Sequence, residues 1–343
     1  ATMKVGRLVL EGLTLYPWTF EENEDGDEGL EAVRFLSAIA RNFSLDTLLM
    51  TDVRNDQKFH ESDATAVISA VYDHSLLQGY HRGDIAMNFQ TGVSFSGSIP
   101  VPTPATPPVS EDVLEGGEEA APAMPAPTVP FDFSGSMNYA AWNGLSFSRL
   151  LEWGERGEIP PITEKDLWSL GTYVIDDMNI DLGGKPMMRI GSFEMAADEF
   201  AWFFPKRLVV EHEDVSFHLS DLFRTVAALE PEASLPSDEP SPAEIADLLD
   251  RTGFGTLSGD GILSLTWNED TGETLLESTS IADGLYADDL RFAVTLPGYA
   301  ALVPAFGIDG RSPDTEMMGN LLESAFAFHG AHYSLTDAGI LDG

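Results

Sequence analysis

Residues 5–15 alternate apolar and polar side chains, with valine and leucine at the apolar positions. That two-residue period predicts a half-buried β-strand. Residues 30–43 change period. Val33, Leu36, Ile39, Ala40 and Phe43 recur at three- and four-residue spacing, which predicts a helix with one apolar face. Strand patterns return over 45–53, 64–72 and 84–98. The last is marked by Ile85, Met87 and Phe89, then Val93 and Phe95. Further on, 131–139 alternates as a strand and 146–153 predicts a short helix. Residues 170–182 and 187–195 read as hairpin partners across Gly183-Gly184, a tight-turn dipeptide. A strand over 208–219 alternates through Val209, Glu211, Glu213, Val215 and Phe217, and a helix over 222–229 follows.

The last third begins with a helix over 243–252, with Ser241 as N-cap, Pro242 in the first turn, Glu244 at the third position and Gly253 as stop. Residues 261–267 and 274–280 flank a polar connection and read as another hairpin. A strand over 290–296, a helix over 317–328 and a strand opening at His332 complete the pattern. Hairpins with an occasional helix define an α+β fold whose sheets are mostly antiparallel.

Two polar stretches break the periodicity. Residues 100–130 are rich in proline and alanine around an acidic centre, and they predict an extended linker or disordered loop. Pro104–Pro107 and Pro122–Pro125 match the bare P-x-x-P spacing of a docking peptide, without an accompanying basic residue. A second polar linker covers 230–242. The expected organisation is a β-rich unit over 1–99, the linker, a second β-rich unit over 131–229, the polar linker, and an α+β unit over 243–343. One internal similarity stands out: 44–53 parallels 169–178 at an offset of 125 residues. It predicts two repeated β-α-β-β units.

Charge narrows the function classes. The chain carries 57 Asp and Glu against 18 Lys and Arg, a formal net charge of −39. Such a polyanion is repelled by nucleic acid and by anionic membrane surfaces, so nucleic-acid binding is excluded. Two readings of the acidity stand, solubility in a salty milieu or an affinity for cations and basic partners. There is no cysteine, which excludes disulfides, thiolate zinc sites and cysteine nucleophiles. No apolar run reaches the length of a transmembrane helix, and residues 1–4 lack the apolar centre of a signal peptide. The chain reads equally as a mature form or as a piece of something longer.

Candidate chemistry is sparse. Asp270-Thr271-Gly272 carries the tripeptide of aspartic proteases, but polar flanks and the lack of a second copy read as a turn. The loop over 21–31 resembles a calcium loop, with Asn23, Asp25 and Asp27 as candidate ligands, but position twelve is Ala32. His212, Asp214 and His218 fall on one side of a strand, and His329 and His332 lie three apart; neither set matches a metal-binding helix motif. His74, His81 and Asp84 lie close in sequence, and Gly92-Val93-Ser94-Phe95-Ser96 lacks the last glycine of a nucleophile elbow. No catalytic residue, metal site or cofactor is assigned. The aromatics Trp142, Trp153, Trp202, Phe203 and Phe204 gather in one stretch with Trp168. They read either as a core under a helix or as an apolar groove for a lipid-like ligand.

Segments such as Val5-Gly6-Arg7-Leu8-Val9-Leu10-Glu11-Gly12-Leu13, Leu263-Ser264-Leu265-Thr266-Trp267-Asn268 and Tyr333-Ser334-Leu335-Thr336-Asp337 resemble the short strands of repetitive exported bacterial proteins of the YdgA-like and AsmA-like kind. The resemblance is one of texture along the chain. It implies a periplasmic or otherwise exported location and a curved sheet with an apolar inner face. It also implies a binding or scaffold role, with a lipid or another envelope protein as partner and no catalytic residues. The acidity and the proline-rich stretch depart from that pattern. A structural, adhesin-like module with an acidic cation-binding surface, and a hydrolase whose site is not visible in sequence, are the alternatives.

Overall fold

The computed structural model describes residues 2–17, 28–61, 64–102, 128–161, 164–229, 240–296, 298 and 315–339. The first edge of the sheet is made of three short pieces, β1 (Thr2–Lys4), β2 (Arg7–Glu11) and β3 (Thr14–Leu15), all laid against β4 (Phe43–Glu61). Then β5 (Ala64–His81), β6 (Asp84–Pro102), β7 (Thr128–Ser146), β8 (Gly171–Leu182), β9 (Lys185–Ala201) and β10 (Phe204–Phe217) follow as successive antiparallel neighbours. β11 (Leu257–Trp267), β12 (Glu273–Ala282), β13 (Tyr286–Thr295) and β14 (Ala327–Asp337) continue the same meander to the far edge. Helix α1 (Glu28–Arg41) connects the first edge to β4, and α2 (Ser148–Arg156) connects β7 to β8. Helices α3 (Leu219–Leu229) and α4 (Pro242–Thr252) lie between β10 and β11, and α5 (Thr315–Ala325) lies between β13 and β14. The result is a β-dominant α+β fold built on one curved, open, antiparallel sheet.

Local chemistry explains the joints. Gly183 (φ 56°) and Gly184 (φ 74°) make the two-residue turn between β8 and β9, where left-handed backbone matches the twist of the strands. Helix α4 opens with a full capping box between Ser241 and Glu244 and closes on Gly253 in the left-handed conformation. The proline-rich stretch joins immediate neighbours: Pro100 pairs with Pro130 and Pro102 with Thr128, at the ends of β6 and β7. The rest of that stretch lies outside the described residues. Helices pack on one another in pairs, α1 with α2 and α3 with α4. Arg41 bridges the first pair through Glu152 and Glu155, and Arg224 the second through Asp247 and Asp250.

The strands are longer than periodicity predicted. The expected 45–53 extends over Phe43–Glu61, 64–72 over Ala64–His81, and 131–139 over Thr128–Ser146. Polar and glycine positions that read as strand ends lie inside the strands, in two lines that cross the sheet. One line runs Gly12, Asp46, Gly79, Ala86, Gly144, Gly171, Ala197. The other runs Gly6, Asp52, Asp73, Gly92, Asn138, Asp177, Gly191, Asp214. Within a strand the two positions lie six residues apart, about 20 Å along an extended chain. Positive φ recurs along both lines: Gly12, Gly79, Gly144 and Gly171 on the first, Asp52, Gly92, Asp177 and Asp214 on the second. From the first edge to β7, the strand turns left-handed at whichever line it reaches second. Glycine adopts that conformation freely, and aspartate is among the few residues that tolerate it. The first edge shows the cost to continuity, because Gly6 and Gly12 divide the expected 5–15 strand into its three pieces.

Each left-handed residue redirects its strand, and a line of them bends the sheet. Side chains on the lines share one face, where Asp46, Asp52, Asp73, Asn138 and Asp214 are exposed and Asp177 is half-buried. On the opposite face Leu45 (4%), Val53 (2%), Val93 (7%) and Ala141 (2%) are buried. On the face of the lines Ala140 (9%) and Ala197 (1%) are buried too, and the opposite face is termed the inner face. Two cross-strand pairs tighten it: the Phe95 ring lies over Gly135, and the Phe133 ring over Gly97, where any side chain would collide with the ring.

Substitution along a line gives a sharp contrast. A Cβ on Gly92 would run into the Asp73 carboxylate, and its φ of 58° excludes a β-branched residue. The Gly92→Val variant is expected to lose about 2–4 kcal/mol in chemical denaturation, and Asp177→Gly to lose nothing or gain slightly.

Candidate functional site

The inner face is built row by row from strand register. Leu49, Leu76, Phe89, Ala141 and Val174 stand side by side across β4 to β8. Nearer the β8–β9 turn run Val53, Tyr72, Val93, Met137, Met178 and Ile190, and beyond them Ile68, Gly97, Phe133 and Leu182. The two-residue period of each strand puts these side chains on one face, where the row between the first two carries Thr51, His74, Thr91, Tyr139 and Asp176; on the other face the same strands carry Leu48, Leu77, Trp142 and Tyr173 as well as Ser69, Ser94, Ser96, Ser134 and Ser136. From β9 onward the rows of Phe89 and Thr91 turn polar, while Ile190 continues the row of Val93. Val174 is followed by Glu194 and Glu211, Ser192 faces Glu213, and Arg291 pairs with Glu277 at 3.5 Å. The apolar part of the inner surface thus spans five strands, about 19 Å across.

The best-packed core lies at one end of the strands. Leu167, Ala201, Trp202 and Trp267 are buried together, with Trp153 and Trp168 packed against them. The Trp202 indole N–H donates to the Pro160 carbonyl at 3.1 Å, and Trp168 donates to the Trp202 carbonyl at 3.0 Å. Phe203 stands edge-on to Trp202 with ring centroids 4.5 Å apart, and Phe204 lies 6.5 Å from Trp267. Of the aromatics singled out in the sequence, Trp153, Trp202, Phe203 and Phe204 meet here. Trp202 itself is filled-in core, 3% exposed, while Phe203 and Phe204 remain over a third exposed. Trp142 stands apart on the outer face, 4.7 Å from Tyr173, with its N–H on the Leu170 carbonyl. The inner rows across β4 to β8 were not singled out in the sequence; their only signal is the strand alternation itself.

An open cleft of about 750 Å³ adjoins this core, lined by Lys206, Arg207, Trp267, Glu269, Arg291 and His329 among others. Its charges largely satisfy one another. Glu269 accepts from Lys165, whose pKa this hydrogen bond raises, and lies 4.0 Å from Lys206. His329 shares a hydrogen bond with Thr295 at 2.6 Å.

The remaining candidates are accounted for by structure. Asp270-Thr271-Gly272 is the β11–β12 turn, held by Asn268, whose side-chain carbonyl accepts from the N–H groups of Asp270 and Thr271. Asp84 accepts from the Ser146 hydroxyl and the Ser148 N–H at the start of α2. His74 bonds Thr91 and His218 bonds Thr256. A register shift between His212 and Val215 interrupts the face on which His212, Asp214 and His218 were expected to align, because Asp214 is left-handed and its N–H donates to Asp260. Among the described residues no group of three or more His, Asp and Glu is placed to hold a metal, and no helix is long and apolar enough to cross a membrane. Asn23, Asp25 and Asp27 lie outside the described residues. Compared with protein-family models, curated proteins and solved structures, the chain matches none.

Trp202 fills a site that no neighbour can occupy in its place. The Trp202→Ala variant is expected to lose about 3–5 kcal/mol in equilibrium denaturation. Trp142→Ala, on the half-exposed outer face, is expected to lose less than half as much.

Proposed function

We propose that the chain is a non-enzymatic binding protein that holds a lipid-like, elongated apolar ligand along the inner face of β4 to β8. The observation that carries this reading is the pair of apolar rows through Phe89 and Val93, each five strands wide, on the inner side of a curved sheet; the row between them carries Thr51, His74, Thr91, Tyr139 and Asp176. An amphipathic sheet gains stability only when its apolar face leaves water. Here the buried aromatic core lies at one end of the strands, and Phe59, Ile99 and Phe217 stay 40–51% exposed toward the other. A ligand with a flexible hydrocarbon chain suits such a face, because it needs no directional partner. An exported, envelope location, with lipid or a lipid-carrying envelope protein as partner, belongs to the same reading.

The internal similarity enters here as well. We infer two copies of one β-α-β-β unit, the first edge with α1, β4 and β5, and β7 with α2, β8 and β9. The support is positional: the 125-residue offset sets Asp46 against Gly171 on one line of the sheet, and Asp52 (φ 51°) against Asp177 (φ 50°) on the other. The helices of the two units pack on each other.

Native mass spectrometry of the purified chain, followed by solvent extraction, tests the ligand. A stoichiometric lipid, or saturable uptake of a fluorescent fatty acid, is expected. The Phe89→Asp variant is expected to weaken uptake at least tenfold, while Ser96→Asp on the outer face leaves it unchanged. A ligand-free mass together with no fatty-acid uptake would contradict the proposal.

A further inference from the structure

The cleft beside the aromatic core opens on the same face as the apolar rows. By register Arg207, Thr266, Leu275 and Ala293 form one inner row across β10 to β13, and Arg291 lies on the next row, opposite Glu277. All five of Arg207, Thr266, Leu275, Arg291 and Ala293 line the cleft of about 750 Å³, and strand alternation sends their side chains into it from the inner side. An apolar path joins this place to the row of Phe89. One row from Val174, toward the cleft, stand Thr172, Ala196 and Val209 on β8, β9 and β10. Val209 lies two residues from Arg207 on the same face, so the path passes beside Glu194 and Glu211. From Val174 to Arg207 is two strand spacings across and four residues along, roughly 17 Å between backbone positions.

Charge divides the cleft. Lys206 lies 3.6 Å from Glu199 and 4.0 Å from Glu269, and Glu269 also accepts from Lys165. Arg207 differs: among the described residues its exposed guanidinium has no hydrogen-bond or ion-pair partner. Arg291 has one loose partner, Glu277 at 3.5 Å, and its side chain is 62% exposed. The carboxylates that line the cleft stand apart from these two arginines. Glu269, Asp270 and Glu273 lie at the β11–β12 turn and Glu199 near the β9–β10 turn, whereas Arg207 and Arg291 lie on the side of Val209.

We infer that Arg207 and Arg291 receive the anionic head of the bound ligand, a carboxylate or a phosphate, while its hydrocarbon chain runs past Val209 and Ala196 onto the row of Phe89. The inference rests on the apolar-ligand reading and gives that ligand a direction along the sheet. Guanidinium groups match carboxylate and phosphate oxygens with paired donors. Arg291 gives up little in leaving an exposed pair of this length. On a chain with a net charge of −39, most other surface repels an anion, so the two arginines fix which end of the ligand enters the cleft.

Binding of hexadecanoic acid, hexadecyl phosphate and hexadecanol to the full chain separates head from tail. The wild-type chain is expected to hold the acid, the phosphate or both roughly tenfold or more tighter than the alcohol, and the stronger of the two names the head. The double variant Arg207→Gln, Arg291→Gln is expected to lose that preference and to bind the alcohol as the wild type does, which a merely damaged sheet would not. Equal binding of all three by the wild type, or a preference that survives the double variant, overturns the inference and leaves the apolar-ligand reading standing. Uptake of none of the three overturns both.

Discussion

Left-handed backbone at fixed positions in successive strands is the constraint on which the molecule depends. Strands of up to 19 residues, as in β4, β6 and β7, would otherwise twist gradually with no preferred line of bending. Asp52, Gly92, Asp177 and Asp214 on one line and Gly12, Gly79, Gly144 and Gly171 on the other localise the change of direction. Each line keeps its side chains on one face of the sheet. Small and acidic residues are required there for two reasons at once. Only glycine and short polar residues accept positive φ readily, and the surface they occupy faces water.

The acidity of the chain gains a local meaning from this arrangement. Part of it lies along the bend, in Asp46, Asp52, Asp73 and Asp214, which are exposed, and in the half-buried Asp177, and part lines the inner face beyond β8 in Glu194, Glu211 and Glu213. Glu194 and Glu211 face each other directly across β9 and β10, a like-charge pair that weakens that rung. On the inner surface the apolar row through Phe89 over β4 to β8 thus leads into carboxylates on β9 and β10. That change suits a ligand whose hydrocarbon part occupies only one portion of the sheet.

Element types were legible in the sequence, and their extents were not. The capping box at Ser241, the Gly183-Gly184 turn and the Asn268 turn announce themselves because each acts within a few residues. Strand length eluded the same logic. Asp52, Gly79, Asn138 and Gly144 carry the chemistry of turns, and nothing local distinguishes a left-handed residue that ends a strand from one that bends it. Only their alignment across neighbouring strands reveals the difference, and register is a long-range property. The aromatic stretch shows the same limit. Trp153, Trp202, Phe203 and Phe204 are near one another in sequence, but which of them is core rests on Pro160, Leu167 and Trp168, which pack against them. The apolar positions of β4 to β8 are visible strand by strand, yet their alignment side by side in rows is a product of the fold.

The central claim is that one face of this sheet, and not the other, takes up an apolar chain. Phe89 and Gln90 are sequence neighbours in β6 that point to opposite faces, which allows the two faces to be compared at one place. An environment-sensitive fluorophore attached through Phe89→Cys or through Gln90→Cys, titrated with a brominated long-chain fatty acid, makes that comparison. Saturable quenching of the probe at position 89, with little at position 90, is the predicted result. Equal quenching at both positions, or none at either, would contradict the account.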